Sequence, residues 1–154
     1  MTGEGDAMRE LYNGRVMALA NDIPLQRRLD APMVTVERRS PLCGSRITVD
    51  LNLDGGVVTD YGHTVRACTL GQTAASIMAR HVVGADIATL AKVAAAVRAL
   101  LKDGPPIPDG LWPELAYLAP AQGYKSRHGS ILLAFEAVEQ AIEMLTRNQD
   151  ARVG

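Results

Sequence analysis

The stretch SPLCGSRITVDLNLDGGVVTDYGHTVRAC, Ser40 to Cys68, decides the fold. Ile47, Val49, Leu51 and Leu53 alternate with Thr48, Asp50 and Asn52, the period of a strand with one buried face. Asp54-Gly55-Gly56 is a hairpin turn, and VVTDYGHTVRA is the returning strand. A turn centred near Gly55 pairs Leu53 with Val57 and sets Cys43 opposite position 67, beside Cys68. The chain has only two cysteines, and hairpin register alone brings them to one end of the sheet.

Upstream, Val34 and Val36 alternate as a short strand, after a linker bracketed by Pro24 and Pro32 in which no long helix persists. Met8, Leu11, Tyr12, Val16 and Leu19 predict a helix over residues 5–20. Downstream the period changes. GQTAASIMARHVV is helix-compatible, with an N-terminus near Gly71. Asp86 caps a helix whose stripe is Ile87, Leu90, Val93, Val97, Leu100 and Leu101, and Gly104-Pro105-Pro106 stops it. A proline-rich connection with one short helical piece (LWPELAYL) leads to a last helix over roughly 129–146. Strands early and helices late predict an α+β fold: a small antiparallel sheet of about three strands with helices packed on one face, forming a single domain over residues 1–154.

Composition narrows the function classes. Lys and Arg number 16 against 17 Asp and Glu, so neither nucleic acid nor an anionic membrane is expected as a partner. Aromatic residues are 4% of the chain, which disfavours base-stacking platforms. The acidic start MTGEGDAMRELYNG lacks the apolar core of a secretory signal. A cytoplasmic protein with reduced thiols is expected.

Cys43 lies in a Pro-x-Cys-Gly turn, a poor place to bury a small apolar side chain. Cys68 precedes a helix N-terminus, whose positive dipole end favours a thiolate. Two adjacent thiols of this kind point to a soft metal or a persulfide, although Cys68 among Ala67, Thr69 and Leu70 reads equally well as packing. Two ligands do not complete a tetrahedral site. His63 falls on the strand face opposite Cys68, and His81 reads as a satisfied surface residue. His128, entering the last helix, ranks first as a further metal ligand, with Ser130 beside it as an N-cap. The alternatives are a thiol enzyme, a peroxidase or sulfurtransferase with Arg46 or Arg66 stabilising its thiolate, and a binding module with neither chemistry. Arg27-Arg28 and Arg38-Arg39 make a mild basic cluster, either solvated or a dock for an acidic protein.

Pro41-Leu42-Cys43-Gly44-Ser45 and the run Cys68-Thr69-Leu70-Gly71-Gln72-Thr73-Ala74-Ala75-Ser76-Ile77-Met78 resemble the U-type iron–sulfur cluster scaffold family, the NifU N-terminal domain, IscU and SufU. The resemblance runs from Leu11 to Glu143, and the segment GPPIPDGLWPELAYLAPAQGYKSR resembles the SufU-like branch. It implies a non-enzymatic assembly scaffold or carrier that binds an iron–sulfur cluster, iron or zinc, or accepts sulfur, through Cys43 and Cys68. It also implies a cysteine desulfurase and recipient apo-proteins as partners. The family's aspartate is Ser45 here, its third cysteine falls on Gly129 or Ser130, and its glycine before the second cysteine is Ala67. Cluster binding would therefore require two protomers, each giving Cys43 and Cys68, or a further ligand such as His128 or an external thiol. Alternatively, the cluster is lost and only a surface for assembly partners remains.

Overall fold

The structure is a computed structural model that describes Arg9, residues 11–41 and residues 44–153. Three antiparallel strands, β1 (Val34–Arg39), β2 (Arg46–Asp54) and β3 (Val57–Arg66), form one sheet in the order β1-β2-β3. The predicted alternation is what builds it. Ile47, Val49 and Leu51 are buried on the face that meets the helices, together with Val34, Val36 and Tyr61. Gly55 and Gly56, both at positive φ, make the two-residue turn between β2 and β3.

The hairpin register departs from the expectation at two places: the turn lies on Gly55-Gly56, so that Leu53 faces Val58 rather than Val57, and a bulge follows. Asp54 pairs with Val57 and Leu53 with Val58, but Asn52 pairs with Asp60, so one residue of β3 is bulged out. The shift carries through the strands, and Arg46 ends opposite Arg66. Cys68 lies two residues beyond that pair, at the sheet end where the Ser40–Ser45 connection joins β1 to β2.

Among the described residues four α-helices of at least eight residues surround the core. Helix α1 (Gly14–Asn21) is shorter than the predicted N-terminal helix, because Asn13 caps it through Oδ1, which accepts from Arg15 and Val16 N–H. Met8, at the start of that expectation, lies outside the described residues. Helix α2 (Thr69–His81) follows Cys68, and α3 (Ile87–Asp103) is capped by Asp86 as expected. The connection holds a 3₁₀ segment (Pro113–Gly123), and α4 spans Lys125–Val153. The early start of α4 puts Ser130 inside the helix rather than at its cap. Helices α2 and α4 pack on each other and on the sheet, with Leu70, Ile77, Ile131, Phe135 and Val138 among the buried side chains. No described helix is long and apolar enough to cross a membrane.

The other sheet face is partly covered by the linker. Asp50 is wholly buried there and accepts from Arg28 Nε (2.7 Å) and Nη2 (3.1 Å), Leu29 N–H (2.9 Å) and Thr35 Oγ1 (2.6 Å). Gly62, opposite Asp50, makes this approach possible. A Cβ there would lie 2.4 Å from the Arg27 carbonyl oxygen. One of the arginines read as a basic surface cluster is thus committed to a buried carboxylate.

His63 pairs with Val49 across the sheet and is buried. Its Nε2–H donates to the Pro24 carbonyl at 2.8 Å. Burial pushes its pKa below the ordinary value, partly offset by that hydrogen bond. His81 stacks on Trp112 with ring centroids 4.9 Å apart and bonds the Glu114 carboxylate at 2.9 Å, tying the 3₁₀ segment to α2. His81 is a satisfied structural residue, whereas His63 is bonded through Nε2 only, its Nδ1 being buried with no hydrogen-bond partner among the described residues.

Candidate thiol and metal site

Cys68 is the N-cap residue of α2, half-buried, with extended backbone and no capping hydrogen bond from its side chain. Its thiol donates instead to Ser130 Oγ at 3.3 Å, and Ser130 Oγ lies 3.0 Å from Ser45 Oγ. Ser130 and Ser45 are both buried, as is Ser40. A line of hydroxyls therefore runs inward from the thiol, drawn from the β1–β2 connection and from the second turn of α4.

The connection itself is closed by two backbone bonds, Ser40 N–H to the Ser45 carbonyl (2.8 Å) and Gly44 N–H to the Ser40 carbonyl (3.2 Å). Cys43 lies within this span of sequence but, with Leu42, outside the described residues.

Gly71 governs how closely α4 approaches. A Cβ at Gly71 would lie 2.4 Å from Ser130 Oγ, 2.7 Å from Ala67 Cβ and 3.2 Å from the Ser130 carbonyl oxygen. Glycine inside the first turn of a helix costs about 0.5–1 kcal/mol against alanine, and here it makes room for Ser130 to reach Cys68. Gly71→Ala is therefore expected to lower stability by about 1–3 kcal/mol despite alanine's better helix propensity. Thermal melting of this variant checks the point, and Ser130→Gly in the same chain should recover part of the loss. Sequence reading marked Gly71 only as a helix start. Its signal was a glycine interrupting an otherwise helix-compatible run.

Of Gly129 and Ser130, Ser130 contacts Cys68, whereas a Cβ on Gly129 would meet Ser40 Oγ at 3.0 Å. His128 is placed elsewhere. Its Nε2–H faces the carbonyls of Ala121 (2.9 Å) and Gln122 (3.0 Å), closing the end of the 3₁₀ segment. Two residues along a helix are about 200° apart, so His128 and Ser130 face nearly opposite ways. Arg46 and Arg66 lie on the outer sheet face, and among the described residues the hydrogen-bond partner of the Cys68 thiol is Ser130.

Among the described residues no three His, Cys, Asp or Glu side chains gather into a metal-binding group. Hydroxyls at Ser45 and Ser130 are poor donors for iron or zinc next to thiolate or carboxylate. Among the described residues the side chain here that fits a soft metal is the Cys68 thiol.

The model of the NifU-like N terminal domain matches residues 7–111, more than half of the chain. The chain belongs to the NifU-like N-terminal domain family. Its strand–hairpin–helix architecture is that of the solved NifU-like N-terminal protein of Brucella abortus, with 38% identity, a TM-score of 0.89, and 92% of this chain and 98% of that one covered. It is 22% identical over 137 residues to the iron–sulfur cluster assembly scaffold protein IscU of Thermotoga maritima, covering 89% of this chain and 96% of that protein. It is 34% identical over 56 residues to the zinc-dependent sulfurtransferase SufU of Bacillus subtilis, covering 36% of this chain and 38% of that one. This NifU-like chain is thus a member of the iron–sulfur cluster assembly scaffold family with serine at two positions beside its second cysteine.

Proposed function

We propose that this NifU-like protein acts in the cytoplasm as an iron–sulfur cluster scaffold or carrier whose cargo is held by Cys43 and Cys68 alone. Two chains would each contribute both thiolates, so that four sulfurs enclose one cluster. The observation that carries this reading is the line from Cys68 through Ser130 to Ser45. Neutral hydroxyls stand at Ser130 and Ser45, where the resemblance implies a thiolate and a carboxylate, and this supports a cargo held by thiols. In this role Cys68 supplies a ligand from the mouth of the site. Ser130 and Ser45 orient the thiol when it is protonated. By resemblance, a cysteine desulfurase supplies the sulfur and apo-proteins receive the cluster. The four cysteine sulfurs needed for a cluster are reached by pairing chains.

Anaerobic incubation with iron and sulfide, followed by visible absorption, tests the thiol assignment. The wild type is expected to develop a cluster chromophore, and Cys43→Ser and Cys68→Ser are each expected to lose it. A wild type with neither chromophore nor bound zinc would rule the reading out. Peroxide or sulfur turnover abolished by either substitution would then favour the thiol-enzyme alternative.

A further inference from the structure

The outer face of the sheet carries an arrangement that folding alone does not favour. Residues directly opposite in an antiparallel pair share a face. Arg39 pairs with Arg46 and Arg46 with Arg66, so three arginines lie abreast across the sheet end that leads to Cys43 and Cys68. Like charges directly opposite destabilise a sheet. Arg39 is relieved by Glu37 at 3.3 Å, but Arg46 and Arg66 have no ion-pair partner among the described residues. Between them opens a concavity of about 400 Å³ lined by Gln26, Glu37, Arg46, Thr48, Thr64 and Arg66. Apart from Glu37, which Arg39 already engages, its polar side chains present guanidinium, hydroxyl and amide donors.

We propose that Arg46 and Arg66 form a docking surface for an acidic segment of a protein partner, one carrying at least two carboxylates. Guanidinium groups bind carboxylates through two parallel N–H···O bonds. Adjacent strands are about 4.8 Å apart, so the opposed arginines take neighbouring carboxylates rather than one shared anion. The concavity is about half open to solvent. Small-molecule sites enclose most of their ligand, so an extended polypeptide fits this surface better than a free small anion. Arg46 follows Cys43 by three residues and Arg66 precedes Cys68 by two, so the docked segment would lie alongside the thiol end of the sheet.

The test uses the whole chain and a fluorescein-labelled Glu-Ser repeat peptide, with its Gln-Ser counterpart as control, read by anisotropy at low and at physiological ionic strength. The Glu peptide is expected to bind and weaken with salt, and the Gln peptide not to bind. Arg46→Gln and Arg66→Gln should each weaken binding roughly tenfold. Each should melt at or slightly above the wild type, because cross-strand repulsion is removed. Cys68→Ser should bind the peptide as the wild type does, which keeps this proposal separate from the cluster reading. Equal binding of both peptides, unchanged affinity in the arginine variants, or a clear loss of stability in them would overturn it. So would displacement of the peptide by succinate or inorganic phosphate at equal concentration, which would mark a small-anion site.

Discussion

Ser45→Asp combined with Ser130→Cys is expected to raise zinc affinity by at least about 10³-fold over the wild type. Structural zinc is worth roughly 10–16 kcal/mol in a full four-ligand site, or about 2.5–4 kcal/mol per ligand. Two added ligands then contribute about 5–8 kcal/mol, and every 1.4 kcal/mol is tenfold in Kd. The stated bound leaves margin for imperfect geometry. The geometry favours the exchange. Ser45 and Ser130 already lie 3.0 Å apart, Ser130 reaches Cys68, and Gly71 leaves space beside the slightly larger cysteine. Without metal the variant should melt below the wild type, because it buries a carboxylate and a thiol where two hydroxyls had been bonded. Zinc should then raise its melting temperature, by an amount that grows with metal concentration. Competition against a chromophoric chelator gives the affinity. An unchanged Kd would mean that these two positions do not face the metal.

Asp50→Ala is expected to be the most destabilising single change on the outer face, by about 2–4 kcal/mol. The substitution leaves the half-buried Leu29 N–H without its acceptor, worth about 1–3 kcal/mol, and removes the Thr35 hydrogen bond, worth about 0.5–1.5 kcal/mol because Thr35 is exposed and its hydroxyl can turn to water. The arginine contributes less, since its side chain is 56% exposed and can return to water. For a chain of this size the melting temperature should fall by about 5–15 °C, and the linker should become protease-sensitive. Burial raises the Asp50 pKa, but the hydrogen bonds from Arg28, Thr35 and Leu29 and the Arg28 charge outweigh it, holding the carboxyl below its ordinary range. The unfolded chain therefore takes up this proton first. The stabilisation is complete above about pH 3.9 and is lost as pH falls through the folded value. His63 acts earlier and in the same direction. Its folded pKa is depressed, so stability begins to fall as pH drops below about 6.5. Denaturant midpoints taken between neutral and acid pH should show both phases in the wild type, the lower one reduced in Asp50→Ala, where Asp86 and Glu114, also held below their ordinary range, still contribute.

The parts of the molecule legible in the sequence are those set by local period and turn chemistry. The β2 alternation, the two-glycine turn and the Asp86 cap each act over a few residues, and each is where the residues place it. What escaped depends on distant segments meeting. Asp50 sits at an outward position in β2 and reads as solvent-facing, yet the linker more than twenty residues earlier covers it. The bulge beyond Asn52 moves the register by one, which no periodicity in β3 announces. His128 was a reasonable ligand candidate for a helix beginning near residue 129. Because α4 begins at Lys125, the ring turns to the 3₁₀ carbonyls, and Ser130 occupies the place beside Cys68. Gly71 and Gly129 shape the site by the room they leave for Ser130 and Ser40, and a single sequence does not display that.

The central claim is that the cargo is held by thiols alone, two from each of two chains. Native mass spectrometry of the anaerobically reconstituted wild type, paired with iron and sulfide analysis, tests it most directly. The account predicts a dimer carrying one cluster, and apo chains that pair less tightly before loading. A monomer carrying a complete cluster would contradict it, as would a chain that remains free of iron and zinc.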